Sequence, residues 1–130
     1  MTGAKWIMVS GILGAVSVLI GAFGAHGFEK FLSRRGFTAE QIHESSEWLE
    51  TGVRYHFYHT LAILGVGLLA VARPDWRLAP AGFCFVVGIV LFSGVLYVMA
   101  MTHVRVLGAV VPIGGLALTV GWILLAMAGR

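Results

Sequence analysis

The chain predicts an all-α fold: a polytopic membrane protein, one domain over residues 1–130, built as a four-helix transmembrane bundle. Three observations carry this. Of 130 residues, 58% are hydrophobic and only 12% charged, far less charge than a soluble domain uses to cover its surface. Mean hydropathy is +0.90. The apolar residues gather into four runs, at about 6–25, 53–72, 78–101 and 106–128, each close to the ~20 residues that cross a hydrocarbon core. Lipid offers the backbone no partners, so each run must satisfy its own hydrogen bonds as a helix.

The first run, Trp6 to Ala25 behind Lys5, is longer than a signal-peptide core and lacks a small-x-small cleavage site, so it is expected to stay as the first span. Residues 28–52 read as an amphipathic interfacial segment between the first two spans. Phe28, Phe31 and Leu32 share one helical face, and Gly36 can end that turn in the left-handed region. Thr38 starts a new helix with Gln41 at the reciprocal capping position. Glu40, Glu44 and Glu47 form an acidic stripe, with Ile42 and Leu49 largely opposite and Trp48 suited to the headgroup level. Gly52 is expected to bend the join to the second span, and Glu50 and Arg54, spaced i,i+4, to clip it. Short connections around Pro74-Asp75-Trp76 and around His103 force antiparallel neighbours. His103, beside Arg105, reads as solvated.

Lys5, Arg73, Arg77 and Arg130 fall on one side; Lys30, Arg34, Arg35, Arg54 and Arg105 fall on the other. The positive-inside count is nearly balanced, and the compactly basic Arg73–Arg77 loop points to cytoplasmic termini. The net charge of +3 fits loops facing anionic lipid. Dispersed basic residues exclude nucleic acid as a partner. Cys84, the single cysteine, allows no internal disulfide and reads as a small buried hydrophobe.

Ser10, Gly14, Ser17, Gly21 and Gly24 recur at spacings of four, three, four and three. Helices in lipid associate through such stripes because small residues let backbones approach, so this stripe is the expected packing seam. In the fourth span, Pro112 removes a donor and is expected to free the carbonyl of Gly108, kinking the helix among Gly108, Gly114 and Gly115.

Imidazoles inside membranes carry a functional hypothesis. His26 ends the GAFGAHG stretch at 21–27, and RYHFYHT at 54–60 holds Tyr55, His56 and His59 on neighbouring helical positions. If the first span ends at the level where the second begins, His26 and His59 meet, and His26, His59, Tyr55 and His56 form a polar cluster at one rim. Tyr97 is expected to line the core away from it. A zinc site needs a third or fourth ligand, for which only Glu44 or Glu47 offer themselves; no metal and no cofactor is expected. Paired intramembrane carboxylates, a serine nucleophile elbow and a phosphate loop are all missing from the sequence.

GAFGAHG at 21–27, YHFYHTLAIL at 55–64, LFSGVLY at 91–97, and PIGG followed by GW at 112–122 stand in an order and spacing that resembles the domain-of-unknown-function 423 family of small bacterial inner-membrane proteins, to which the eukaryotic transmembrane protein 256 is similar. The resemblance spans nearly the whole chain. It implies a multi-pass protein of the bacterial inner membrane and supplies no reaction. Many members carry glutamine where this chain has His56, which shifts the weight to His26 and His59.

The expected role is non-enzymatic: an accessory, assembly or lipid-associated protein acting through helix–helix contacts, with membrane lipids and a homo-oligomer or larger membrane complex as partners. One alternative is a small permease or channel, for which Ser17, His26, His59, Ser93, Tyr97 and Thr119 would supply a polar path. Another is a quinone- or haem-binding redox subunit using His26 and His59.

Overall fold

A computed structural model describes residues 1–130. The elements in chain order are α1 (Gly3–His26), α2 (Phe28–Arg34), α3 (Ala39–Ala72), α4 (Ala79–Gly88), a π-helical turn (Ile89–Gly94), α5 (Val95–Thr102), a 3-10 segment (Arg105–Ala109) and α6 (Val111–Met127). Four stretches are long and apolar enough to cross a membrane: Gly3–His26, Ala39–Ala72, Ala79–Thr102 and Arg105–Met127.

α1 starts on a Thr2 cap, whose hydroxyl accepts the Lys5 N–H. α2 closes in a Schellman arrangement: Gly36 has φ +82°, Gly36 N–H bonds to Ser33 O and Phe37 N–H to Leu32 O. α3 opens on a full capping box between Thr38 and Gln41.

α3 corrects the expected boundaries. The stretch from Ala39 to Gly52 is not a separate interfacial element; it is the first part of a single 34-residue helix. At about 1.5 Å per residue that helix is ~51 Å long, against a hydrocarbon core of ~30 Å, so its charged amino-terminal turns stand clear of the lipid. Gly52 does not interrupt the helix. It is buried because Tyr97 lies over it: a Cβ there would come within 2.7 Å of the Tyr97 ring. Glu50 and Arg54 do pair, at 2.6 Å.

The fourth span is corrected as well. Pro112 does not kink a helix interior. It stands in the first turn of α6, after the 3-10 segment that holds Gly108, where a missing N–H leaves nothing unsatisfied.

α1 runs antiparallel along α3. Gly3 meets Gly67 and Val71, Gly14 faces Thr60, Gly21 faces Val53 and Gly24 faces Leu49. The stripe Ser10, Gly14, Ser17, Gly21 and Gly24 therefore lies on the α3 side, with Ser10 and Ser17 buried. The third span packs between α3 and α6. The apolar window of α1 is 11% buried and that of α6 17%, against 39% for each of the two inner spans, so α1 and α6 are the outer helices. Trp6 ties α1 to the third span by lying over Gly82 and edge-on to Phe83, at 5.1 Å between centroids. The membrane core is built from Trp6, Ile63, Val66, Phe85, Ile89 and Leu118.

A second apolar cluster, Phe28, Leu32, Leu49 and Ala100, fills the other end of the bundle. It folds α2 against the overhang of α3. Arg35 donates to Met101 O at 3.0 Å, satisfying a carbonyl at the end of α5. His103 ends the third span in the left-handed conformation, φ 58°.

Two glycines set inter-helix distance through backbone rather than side chain. A Cβ on Gly3 would lie 2.7 Å from Gly67 O, and one on Gly67 would lie 3.1 Å from Gly3 O. A Cβ on Gly114 would collide with the backbone of Leu91 and Phe92, which no rotamer change relieves. Gly114→Ala is therefore expected to cost about 1–3 kcal/mol, whereas Gly11→Ala, open on all sides, leaves stability unchanged. Denaturant unfolding in mixed micelles checks the contrast.

Candidate functional site

The polar side chains of the membrane core divide into two units across α3. His59 is buried, and its Nδ1 lies 2.7 Å from the carbonyl oxygen of Tyr55, one turn back. A carbonyl only accepts, so Nδ1 carries the proton, and Nε2 is left to accept the Trp122 indole N–H at 3.2 Å. Both ring nitrogens are thereby engaged. The Tyr55 ring stacks on His59 at 6.0 Å and 18°, and meets Phe92 at 4.7 Å. Phe85 and Trp122 close the other side of the imidazole. Tyr55, Tyr58, His59, Gly115, Leu118, Thr119 and Trp122 line a lipid-facing groove of about 440 Å³ between α3 and α6.

The second unit faces the third span. His56 is buried and its Nδ1 is 3.0 Å from the Tyr97 hydroxyl. Thr60 donates back to His56 O at 2.8 Å. His56 Nε2 and Ser93 Oγ are both buried without a hydrogen-bond partner. Ser93 lies in the π-helical turn, one helical turn before Tyr97. The pairing of Gly52 with Tyr97 fixes the antiparallel register, which sets Ser93 level with His56. The π-turn also carries Phe92 to Gly114 and Gly115 of α6, so one local widening serves both neighbours of the third span. The unit joins imidazole and phenol across two spans and can share a proton between Nδ1 and the hydroxyl.

The sequence-predicted cluster is thus corrected. Tyr55 and His59 come together; His56 belongs to the other unit with Tyr97, which was expected to stand apart; and His26 joins neither. His26 is exposed at the end of α1. Because Gly14 faces Thr60, His59 lies near the level of Gly14, and the helix rise puts roughly 18 Å between that level and His26. α1 ends beside Leu49, inside the overhang of α3, and α2 then carries the chain on to Thr38. A haem held between His26 and His59 has neither the distance nor a free His59 nitrogen. The six residues expected along a permeation path also scatter: His26 is outside, and Thr119, exposed on α6, donates to Gly115 O at 3.0 Å. No group of three or more His, Cys, Asp or Glu side chains is placed to hold a metal ion.

Three positions in the polar contacts are not evident from the sequence. Trp122 as the partner of His59 lies 63 residues away; only the GW pair at 121–122 hinted at it. Ser93 was read as one residue of a path, not as part of a π-turn. His103, read as solvated, has a side chain only 12% exposed. It bonds Ser45 Oγ through Nδ1 at 3.2 Å, lies 3.4 Å from Glu44 Oε2 through Nε2, and packs against Trp48 at 5.2 Å. Arg105 donates to the same Glu44 oxygen at 2.6 Å. Glu44 therefore turns inward from the acidic stripe, and Trp48 meets His103 there; Glu47 pairs outward with His43 at 3.5 Å.

Residues 20–115 match the model of a family described as a protein of unknown function, DUF423. The chain belongs to the DUF423 family. It is 38% identical to the UPF0382 membrane protein YwdK of Bacillus subtilis over 90% of this chain and 92% of that one. It is 40% identical to a UPF0382 membrane protein of Staphylococcus epidermidis, covering 90% and 91%. It is 34% identical to the UPF0382 inner membrane protein YgdD of Escherichia coli K12, covering 96% and 88%. No solved structure matches. With four membrane-capable helices, this DUF423 protein is a multi-pass protein of the bacterial inner membrane, and its family carries no enzymatic name.

A double-mutant cycle tests the inter-span unit. His56→Ala and Tyr97→Phe are expected to couple by about 0.6–1.7 kcal/mol, the range of interhelical hydrogen bonds in membranes. Unfolding of the two single variants and the double variant in bicelles measures it; additive losses would place the bond's contribution at zero.

Proposed function

We propose that this DUF423 protein is a non-catalytic accessory or assembly protein, which acts by offering the outer face of α1 to a helix of a second copy of itself in the inner membrane. One observation carries the reading. Ala4, Gly11, Ala15 and Ala22 are all exposed and recur at spacings of seven, four and seven, which puts them on one line down α1. That line lies about 100° around the helix from the seam with α3. A Cβ on Gly11 would meet nothing within 4 Å. α1 thus has a second line of small residues, flanked by the larger exposed Met8, Val18 and Leu19, that no helix of this chain covers. In lipid, the gain from covering such a face comes from close backbone approach and interhelical van der Waals contact, which another helix supplies better than acyl chains.

The test is disulfide trapping in native membranes. With Cys84→Ser as background, Gly11→Cys is expected to give a disulfide-linked dimer on oxidation. Adding Ala15→Leu, which thickens the same face, is expected to abolish it. A chain that stays monomeric under oxidation, and monomeric in mild detergent, contradicts the reading.

A further inference from the structure

A cavity of about 430 Å³ opens between the last turns of α1 and the middle of α3, within the roughly 300–1,000 Å³ of small-molecule sites. Gly21, Gly24, Leu49 and Val53 give it an apolar side, and Glu29 and Glu50 an acidic one. Its lining also holds Ser46, whose hydroxyl oxygen is buried and has no hydrogen-bond partner.

The position along the membrane normal is as informative as the lining. α1 has 24 residues, ~36 Å at the helical rise, so its last turns lie where the ~30 Å hydrocarbon core ends. Glu50 and Arg54 mark the same level on α3, where charge gives way to an apolar run. The cavity therefore lies at the boundary between acyl chains and headgroups.

The carboxylates are available. Glu29 has no ion-pair partner, and Glu50 uses Oε1 alone on Arg54. Ionised carboxylates only accept, and an ammonium with N–H groups is the donor that satisfies several acceptors at once. An adjoining hollow shares Gly24, Ala25 and Glu29 and adds His26 and Lys30, placing a cation one step from the acids. Arg54 supplies a second. Acids with cations beside them complement a headgroup that joins an amine to a phosphate. The hollow at the opposite membrane boundary has Arg77 as its only charged side chain and no acid, so the chemistry belongs to this end alone.

We propose that this cavity binds a glycerophospholipid with a primary-amine headgroup, of the phosphatidylethanolamine kind, its amine on Glu29 and Glu50 and its upper acyl carbons over Gly21 and Gly24. Ser46 takes the remaining polar contact in the wall. The site lies wholly within one chain, so it is independent of the α1 outer face, and loss of lipid preference leaves trapping through Gly11→Cys untouched.

The experiment is native mass spectrometry of the delipidated full chain, titrated with an equimolar mixture of phosphatidylethanolamine, phosphatidylcholine and phosphatidylglycerol with identical acyl chains. The expected result is a several-fold excess of the ethanolamine adduct, because the quaternary amine of choline has no N–H and glycerol has no cation. Glu29→Gln with Glu50→Gln is expected to bring that adduct down to the choline level, while Glu47→Gln preserves the preference. Ala25→Trp, which narrows the mouth without touching an acid, is expected to lower all adducts at this site. Equal adducts for the three lipids, or a preference that survives Glu29→Gln with Glu50→Gln, overturns the proposal. Displacement by phosphoethanolamine without acyl chains overturns the lipid assignment in favour of a soluble amine.

Discussion

The length of α3 is the constraint on which the rest depends. A continuous 34-residue helix is far longer than a hydrocarbon core requires, and no proline interrupts it. Its apolar part sets the register of α1 and the third span. Its charged part must stand outside the lipid, and there it needs neighbours. α2, the Phe37 corner, His103 and Arg105 are those neighbours. Phe28 and Leu32 seal against Leu49 and Ala100, and Glu44 gathers His103 and Arg105. The two ends of the molecule thus follow from a single rod that passes through both solvents.

Within lipid, apolar contact alone gives little reason for helices to choose each other. Two other forces select the arrangement. One is backbone proximity, at Gly3 against Gly67 and at Gly114 against Leu91 and Phe92. The other is the need of a buried imidazole or indole for a partner. His59 with Trp122 ties α3 to α6, and His56 with Tyr97 ties α3 to the third span. The histidines on α3 point to different helices because positions 56 and 59 lie some 60° apart around the axis, enough for each to reach its own neighbour. This explains a bundle with polar bonds in its middle and small residues along its seams.

The spans are legible because composition and run length suffice for them: the first two apolar runs lie inside α1 and α3, and the last two exceed the observed spans Ala79–Thr102 and Arg105–Met127 by one residue each. The α3-facing stripe of α1 was legible because its i, i+3, i+4 and i+7 spacing is local. What was misread had a second physical meaning. Gly52 looks like a hinge, since a bare backbone bends easily, yet here it gives room for Tyr97. Pro112 looks like a kink, yet it starts a helix. The apolar run alone starts the second span at 53 and sets His26 and His59 level, whereas the capping box at Thr38 opens one continuous helix that starts 14 residues earlier, at Ala39. Trp122 and His103 were out of reach, because their partners lie 63 and 58 residues away and no local pattern encodes such pairings.

The single-rod account is tested most directly by nitroxide scanning along α3. One spin label at a time is placed from 39 to 72 in reconstituted bilayers, and depth is read from the ratio of oxygen to aqueous-reagent accessibility. The account predicts depth that rises steadily with residue number, a helical period that keeps its phase across Gly52, and aqueous exposure that gives way to lipid near Arg54. A constant depth from 39 to 52 with a break in phase at Gly52 would contradict it, because the segment would then lie flat on the membrane and the overhang would not exist.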